Sequence, residues 1–224
     1  LLDVSIVTLV LKYLVSVKQN LNTVGAIVCS FNKQAMDTLL SVGIGIALSA
    51  ASGFRIFVPP LVMSIAALYG HLQLAPEFRW IGTYPALIAF AVATCIEIAA
   101  YYIPWVDHAL DLVSTPTAIA VGTFITKALV HNTSDPLLEW TVAVIAGGGA
   151  AGLFQTLTGM LRVSSTALTG GIGNPVVSTI EAICSFILSV LGIFVPILAV
   201  GLVVTAVIFL IQKLLQKRTN ISES

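Results

Sequence analysis

The 224 residues are 58% hydrophobic and 9% charged, with ten basic residues against ten acidic ones and a mean hydropathy of +1.03. A soluble domain carries about 25% charged residues, so too few polar side chains are present to coat a surface facing water. Zero formal charge leaves no field to draw in nucleic acid, and the composition is that of an integral membrane protein whose first partner is the lipid bilayer.

In chain order, the apolar stretch Val4 to Val17 is short for a span and carries Lys12. Met36-Asp37-Thr38 followed by Leu-Leu-Ser-Val-Gly reads as a natural start, which makes residues 1–35 an N-terminal extension or interfacial segment without a signal-peptide pattern. Residues 36–215 read as a single membrane domain and 216–224 as a polar C-terminal tail. A span needs about 20 apolar residues. Leu39 to Tyr69 exceeds one span and is interrupted at Ser52-Gly53 and at Pro59-Pro60, so a helix, a break and a second helix or half-helix are expected. Gly70 to Arg79 reads as a polar connection and Ile81 to Ile103 as a clear span. Pro104 to Thr117 reads as a re-entrant or interfacial turn, and Ala118 to Val130 as a short apolar segment. Leu138 to Met160 is the next span, softened by Gly147, Gly148, Gly149 and Gly152. Arg162 to Asn174 reads as a long connection, and Pro175 to Leu191 and Ile193 to Ile211 as the last two spans.

The expected architecture is all-α: a polytopic bundle of six main spans. Lys213, Lys217 and Arg218 favour a cytoplasmic C-terminus. Two local matches point to an internal repeat. Ile46-Ala47-Leu48-Ser49-Ala50-Ala51-Ser52-Gly53-Phe54 pairs with Ile145-Ala146-Gly147-Gly148-Gly149-Ala150-Ala151-Gly152-Leu153, and Thr94-Cys95-Ile96-Glu97 pairs with Ser178-Thr179-Ile180-Glu181. Three spans per unit invert the second unit, giving repeats of about 36–131 and 138–213 with interrupted helices. That is how many secondary transporters place a site near the midplane. Recurrent small residues also suit close helix packing in any membrane bundle.

Glu97 and Glu181 are the leading candidates for a proton- or cation-coupling role. A carboxylate within an apolar helix costs roughly 2.5–3.5 kcal/mol near its centre. Arg55 follows the Ser52-Gly53 break, where it can pair with Glu97 or hold an anion; Lys127 is an alternative partner, or a side chain reaching for the interface. Asp107, His108 and Asp111 form a second polar cluster, read either as metal ligands or as an interfacial cap. Ser52, Gly53, Gly147, Gly148, Gly149 and Gly152 are the helix-break or packing residues. Cys29, Cys95 and Cys184 lack paired spacing, and the last two read as buried small hydrophobes. Trp80, Trp105 and Trp140 suit interface anchors.

Gly170-Gly171-Ile172-Gly173-Asn174 lacks the lysine of a phosphate loop. No nucleophile elbow or His-Glu-x-x-His helix is present, so neither a cofactor nor an enzymatic activity is expected, and metal ligation is confined to the minor reading of Asp107, His108 and Asp111.

Met36, the run Ala50-Ala51-Ser52-Gly53-Phe54-Arg55, and Glu97 followed by Ile103-Pro104-Trp105-Val106-Asp107 resemble the bacterial membrane family described as domain of unknown function 4126, over roughly Met36 to Leu215. The resemblance implies a membrane location and no defined activity. It also implies a second acid and a lysine in an Ala-Asp-Lys-Ile-Pro run, where this chain has Tyr101 and Tyr102, and an Arg-Pro pair where it has Thr115-Pro116. The expected function is a small secondary transporter or permease of a small solute or ion in a bacterial inner membrane. The alternative is a non-transporting scaffold, assembly factor or subunit, acting as a homo-oligomer or with a membrane protein partner.

Overall fold

Proline punctuation sets the element boundaries. In the computed structural model, which describes residues 4–130, 135–170 and 173–222, the helices are α1 (Val4–Ser52), α2 (Val58–Leu68), a 3₁₀ turn Pro76–Gly82, α3 (Tyr84–Ala100), α4 (Pro104–Leu129), α5 (Pro136–Val142), a π-helical stretch Ala143–Gly148, α6 (Gly149–Thr169), α7 (Asn174–Phe194) and α8 (Pro196–Ser222). Every proline except Pro116 stands in the first turn of one of these elements. There the missing N–H is no loss, because first-turn amides have no intrahelical acceptor. Thr83 and Asp135 cap the starts of α3 and α5 by accepting from the amides of Ala86 and Leu137.

The described residues are helical with no strand. The chain divides into residues 1–39 and residues 40–224. In the first unit the described residues are helical throughout, and residues 29–37 are exposed. The second unit holds the packed bundle. Among the described residues, three helices are long and apolar enough to cross a membrane: Cys29–Ser52, Pro136–Thr169 and Asn174–Phe194. The pair Pro76–Gly82 and Tyr84–Ala100, bent by 68°, is a fourth candidate.

Several local expectations are corrected. Pro104 to Thr117 is no re-entrant turn: Ile103 is extended, Pro104 opens α4, and the helix continues through Pro116 to Leu129. Pro59 and Pro60 do not interrupt a helix but start α2, and the break lies before them at residues 53–57. The glycines Gly147 and Gly148 do not break their helix. They lie in a π turn, an extra residue accommodated within a continuous helix. Arg162 to Asn174 is mostly helix rather than connection, since α6 runs on to Thr169 and stops at Gly170, whose φ of 64° suits a glycine C-cap. Residues 216–222 are helical, as the last turns of α8. Cys95 and Cys184 are exposed, as is Cys29.

The polarity of α7 explains the exposure of Cys184. Its buried stripe is Asn174, Ser178, Glu181, Ser185, Ser189 and Gly192, at helical spacing, whereas Val176, Ile180, Ile183 and Ile187 are exposed. Polar groups face the bundle and apolar groups face outward. In water this arrangement would be unstable, but in lipid it is the expected one.

The core has one larger apolar cluster, in which Leu48, Val58, Met63, Leu129 and Ile193 join α1, α2, α4 and α7. Elsewhere small residues bring backbones together. Ser49 donates to the Gly122 carbonyl at 2.7 Å and lies 3.0 Å from the Thr126 hydroxyl. A Cβ placed on Gly53 would fall 2.6 Å from both the Ala151 carbonyl oxygen and the Phe154 Cβ, whereas one on Gly159 would meet nothing within 4 Å. Gly53→Ala is therefore expected to destabilise the chain by about 1–3 kcal/mol. Gly159→Ala, in the same helix α6 that Gly53 abuts, is expected to be neutral or stabilising by up to about 1 kcal/mol. Thermal unfolding of the detergent-solubilised protein compares the two, and equal midpoints would remove close packing as the reason for glycine at 53.

Candidate functional site

The end of α1 carries the main polar problem of the bundle. A helix ending in an apolar environment leaves carbonyls without partners. Here the Ala51 carbonyl accepts from the amides of Phe54 and Arg55 and from the Ser185 hydroxyl at 2.9 Å. Ser52 donates to the Ser49 carbonyl at 2.7 Å, and Thr158 donates to the Gly53 carbonyl at 3.3 Å. Serine and threonine from α6 and α7 thus complete the helix end, and the chain passes through residues 53–57 to reach α2.

Glu97, from α3, meets this link from the other side. Its Oε1 accepts from the amide of Ile56 at 2.8 Å and its Oε2 from that of Phe57 at 3.0 Å. The carboxylate thereby caps the start of α2, where unpaired amides and the positive end of the helix dipole favour an anion. The expected Arg55–Glu97 pair is replaced by this arrangement.

Arg55 turns toward α7 instead. Its side chain is 1% exposed, its Nη2 donates to the Ser178 carbonyl at 2.8 Å and to the Ser178 hydroxyl, and the same nitrogen lies 3.7 Å from Glu181 Oε2. Glu181 is held more closely by Arg162 of α6, whose Nε donates to Oε1 at 3.1 Å and whose Nη2 donates to Oε2. This two-point pairing is the strong form of an arginine–carboxylate contact. Tyr101, at the end of α3, lies against both guanidinium groups, with ring-centroid distances of 4.1 Å to Arg55 and 4.0 Å to Arg162. Arg55, Glu97, Tyr101, Arg162, Ser178 and Glu181 are all buried. The two acids of the recurrent Ser/Thr-x-Ile-Glu pattern therefore converge on consecutive residues, Glu181 on Arg55 and Glu97 on Ile56 and Phe57.

Three members of this cluster were not among the sequence candidates. From sequence, Arg162 falls in a connection, Tyr101 departs from the family pattern, and Ser178 marks only the repeat. Their signal is the spacing of polar residues in apolar helices: Gln155, Thr158 and Arg162 in α6, and Ser178, Glu181 and Ser185 in α7, lie on the buried stripes.

The remaining candidates lie elsewhere. Lys127 forms a separate buried pair with Glu139 of α5 at 2.6 Å, its Nζ 5.9 Å from the Trp140 ring centroid. Ser52 and Gly53 end α1. Gly147 and Gly148 pack against α4, where added Cβ atoms would crowd Gly122, Thr126 and Thr123. Gly152 faces Ile119, and Gly149 meets no neighbour. Asp107, His108 and Asp111 stand on α4, and their side chains lie outside the described residues.

Removing one member of the Lys127–Glu139 pair leaves a buried charge unmatched. Lys127→Met is expected to cost roughly 3–5 kcal/mol, and a further Glu139→Gln change to recover a large part of it. Unfolding midpoints of the two variants test this, and a double variant no better than the single one would refute the pairing.

The family model described as domain of unknown function 4126 matches residues 42–216, and the chain belongs to that family. Nothing among curated proteins and nothing among solved structures matches it.

Proposed function

We propose that this member of the domain of unknown function 4126 family is a small secondary transporter, coupled to a proton or cation, in which the link between α1 and α2 is the moving part. The observation that carries this reading is the convergence of both buried acids on residues 55–57. Both Glu97 oxygens already accept an amide hydrogen. A proton arriving on either oxygen removes the negative charge and weakens that oxygen as an acceptor, so its amide is held less tightly. Ion loading at Glu97 is thereby tied to release of the link that carries Arg55, and Arg55 is tied to Glu181 and, through Tyr101, to Arg162. A break in an apolar helix beside paired ionisable groups is the usual form of a transport site.

The finer architecture that goes with this reading is six spans in two inverted three-span repeats, in a bacterial inner membrane with a cytoplasmic C-terminus. The recurrence of Ser/Thr-x-Ile-Glu on α3 and α7 and the basic residues Lys213, Lys217 and Arg218 support it.

One specific observation favours a second reading, a non-transporting scaffold or subunit: all four carboxylate oxygens of Glu97 and Glu181 have partners. Reconstitution into proteoliposomes under an imposed pH gradient separates the two. Proton-linked solute movement above that of protein-free vesicles supports transport. No movement, together with a stoichiometric membrane protein partner on purification, supports the scaffold.

A further inference from the structure

Arg55 is the member of the cluster whose bonding is incomplete. Glu97 spends both oxygens on amides and Glu181 spends both on Arg162, which leaves Arg55 with Ser178 and the more distant Glu181 Oε2. Its Nε and Nη1 are buried and have no hydrogen-bond partner among the described residues. More than nine in ten buried polar groups are paired in folded proteins, and an unpaired donor on a charged group is among the costlier exceptions. Tyr101 covers a face of the guanidinium at 4.1 Å, so the donors still on offer lie in its plane.

We infer that Arg55 is the solute-binding residue, and that the solute class is a small oxyanion such as a carboxylate. This rests on the transport reading above. Guanidinium donors lie in one plane and match the oxygens of carboxylate and phosphate groups, which is why arginine serves where such groups are recognised. With both native acids already engaged, an incoming oxyanion supplies the acceptors that Nε and Nη1 lack. Because Arg55 sits on the link, the motion that frees an amide from Glu97 also presents these donors. Ion loading and anion capture are then two results of one displacement, as coupling requires.

The test uses the full chain in detergent, titrated with sodium acetate, sodium phosphate or sodium sulfate against sodium chloride at equal ionic strength. At least one oxyanion is expected to raise the unfolding midpoint saturably above chloride. Arg55→Lys is expected to abolish that rise, and Arg79→Gln, at an exposed position outside the cluster, to leave it intact. Should Arg55→Lys fail to fold, hydrogen exchange on the unaltered protein decides: the oxyanion must change protection of the amides of Ile56 and Phe57, and chloride must not. Equal response to all four salts, or a rise that survives Arg55→Lys, overturns the assignment. Proteoliposome flux distinguishes the two levels. Transport indifferent to every oxyanion leaves the transporter reading standing without this site, and oxyanion binding without any transport removes the transporter reading alone.

Discussion

Replacing Glu181 with leucine is expected to lower the stability of the chain by roughly 3–5 kcal/mol, the loss typical when one partner of a buried ion pair is removed. The cause is the number of cations that depend on this carboxylate. Arg162 holds it with two hydrogen bonds and Arg55 lies within 3.7 Å. The substitution leaves two buried guanidinium groups against Tyr101 without the carboxylate they share. Arg162→Met alone is expected to do less harm, because Arg55 remains as a partner for Glu181. The double variant Arg162→Met with Glu181→Leu is expected to be more stable than Glu181→Leu alone, since one of the stranded charges is gone. A double-mutant cycle on unfolding midpoints measures the coupling, which for residues in contact runs to about 0.5–3 kcal/mol. Additive effects would mean that the pair is not a unit, and the cluster would lose its claim to be one site.

Much of the fold was legible because proline has few places to go. With Pro116 as the exception, each proline marked an element start, and the α1–α2 break was readable from Ser52-Gly53 and Pro59-Pro60. The errors have physical causes. Pro104 suggested a turn because Asp107, His108 and Asp111 follow it, yet polar residues near a membrane boundary are compatible with helix. Gly147 and Gly148 suggested a break, whereas in a tight bundle glycine serves close approach, here to Gly122 and Thr126. The expectation that Cys95 and Cys184 are buried follows a rule that holds in water, where apolar surroundings mean the interior. Where lipid is the solvent, apolar surroundings mean the outside.

The site was half legible. Glu97, Glu181 and Arg55 stood out by their cost in an apolar chain. Their partners did not, because the contacts span long separations: residue 55 meets 178 and 181, and residue 97 meets 56 and 57. Nothing local tells a glutamate whether it will receive a guanidinium or two amides. The recurrent motif also conceals an asymmetry. Thr94 donates to the Phe90 carbonyl of its own helix, while its counterpart Ser178 receives Arg55. Tyr101, where the family resemblance implies charge, supplies an aromatic ring close to two cations.

That asymmetry fixes what a substitution at Glu97 should do. Glu97→Gln keeps one acceptor and replaces the other with an N–H₂ group aimed at a backbone N–H. One of the amides of Ile56 and Phe57 loses its bond and faces a donor, at a cost of about 1–3 kcal/mol. The variant is expected to fold with a lowered midpoint and with faster hydrogen exchange confined to the link and the first turn of α2. In proteoliposomes it is expected to lose the dependence of solute flux on an imposed pH gradient, because an amide cannot load a proton. Glu97→Ala leaves both amides unpaired, so it should be the less stable of the two and equally uncoupled. These outcomes separate a coupling role from a purely structural one. If Glu97 only caps α2, flux through the folded fraction keeps its pH dependence in the glutamine variant, and the carboxylate is a cap that happens to lie beside Arg55. If the dependence disappears while solute still passes down its own gradient, the proton load on Glu97 is coupled to the link whose amides it holds.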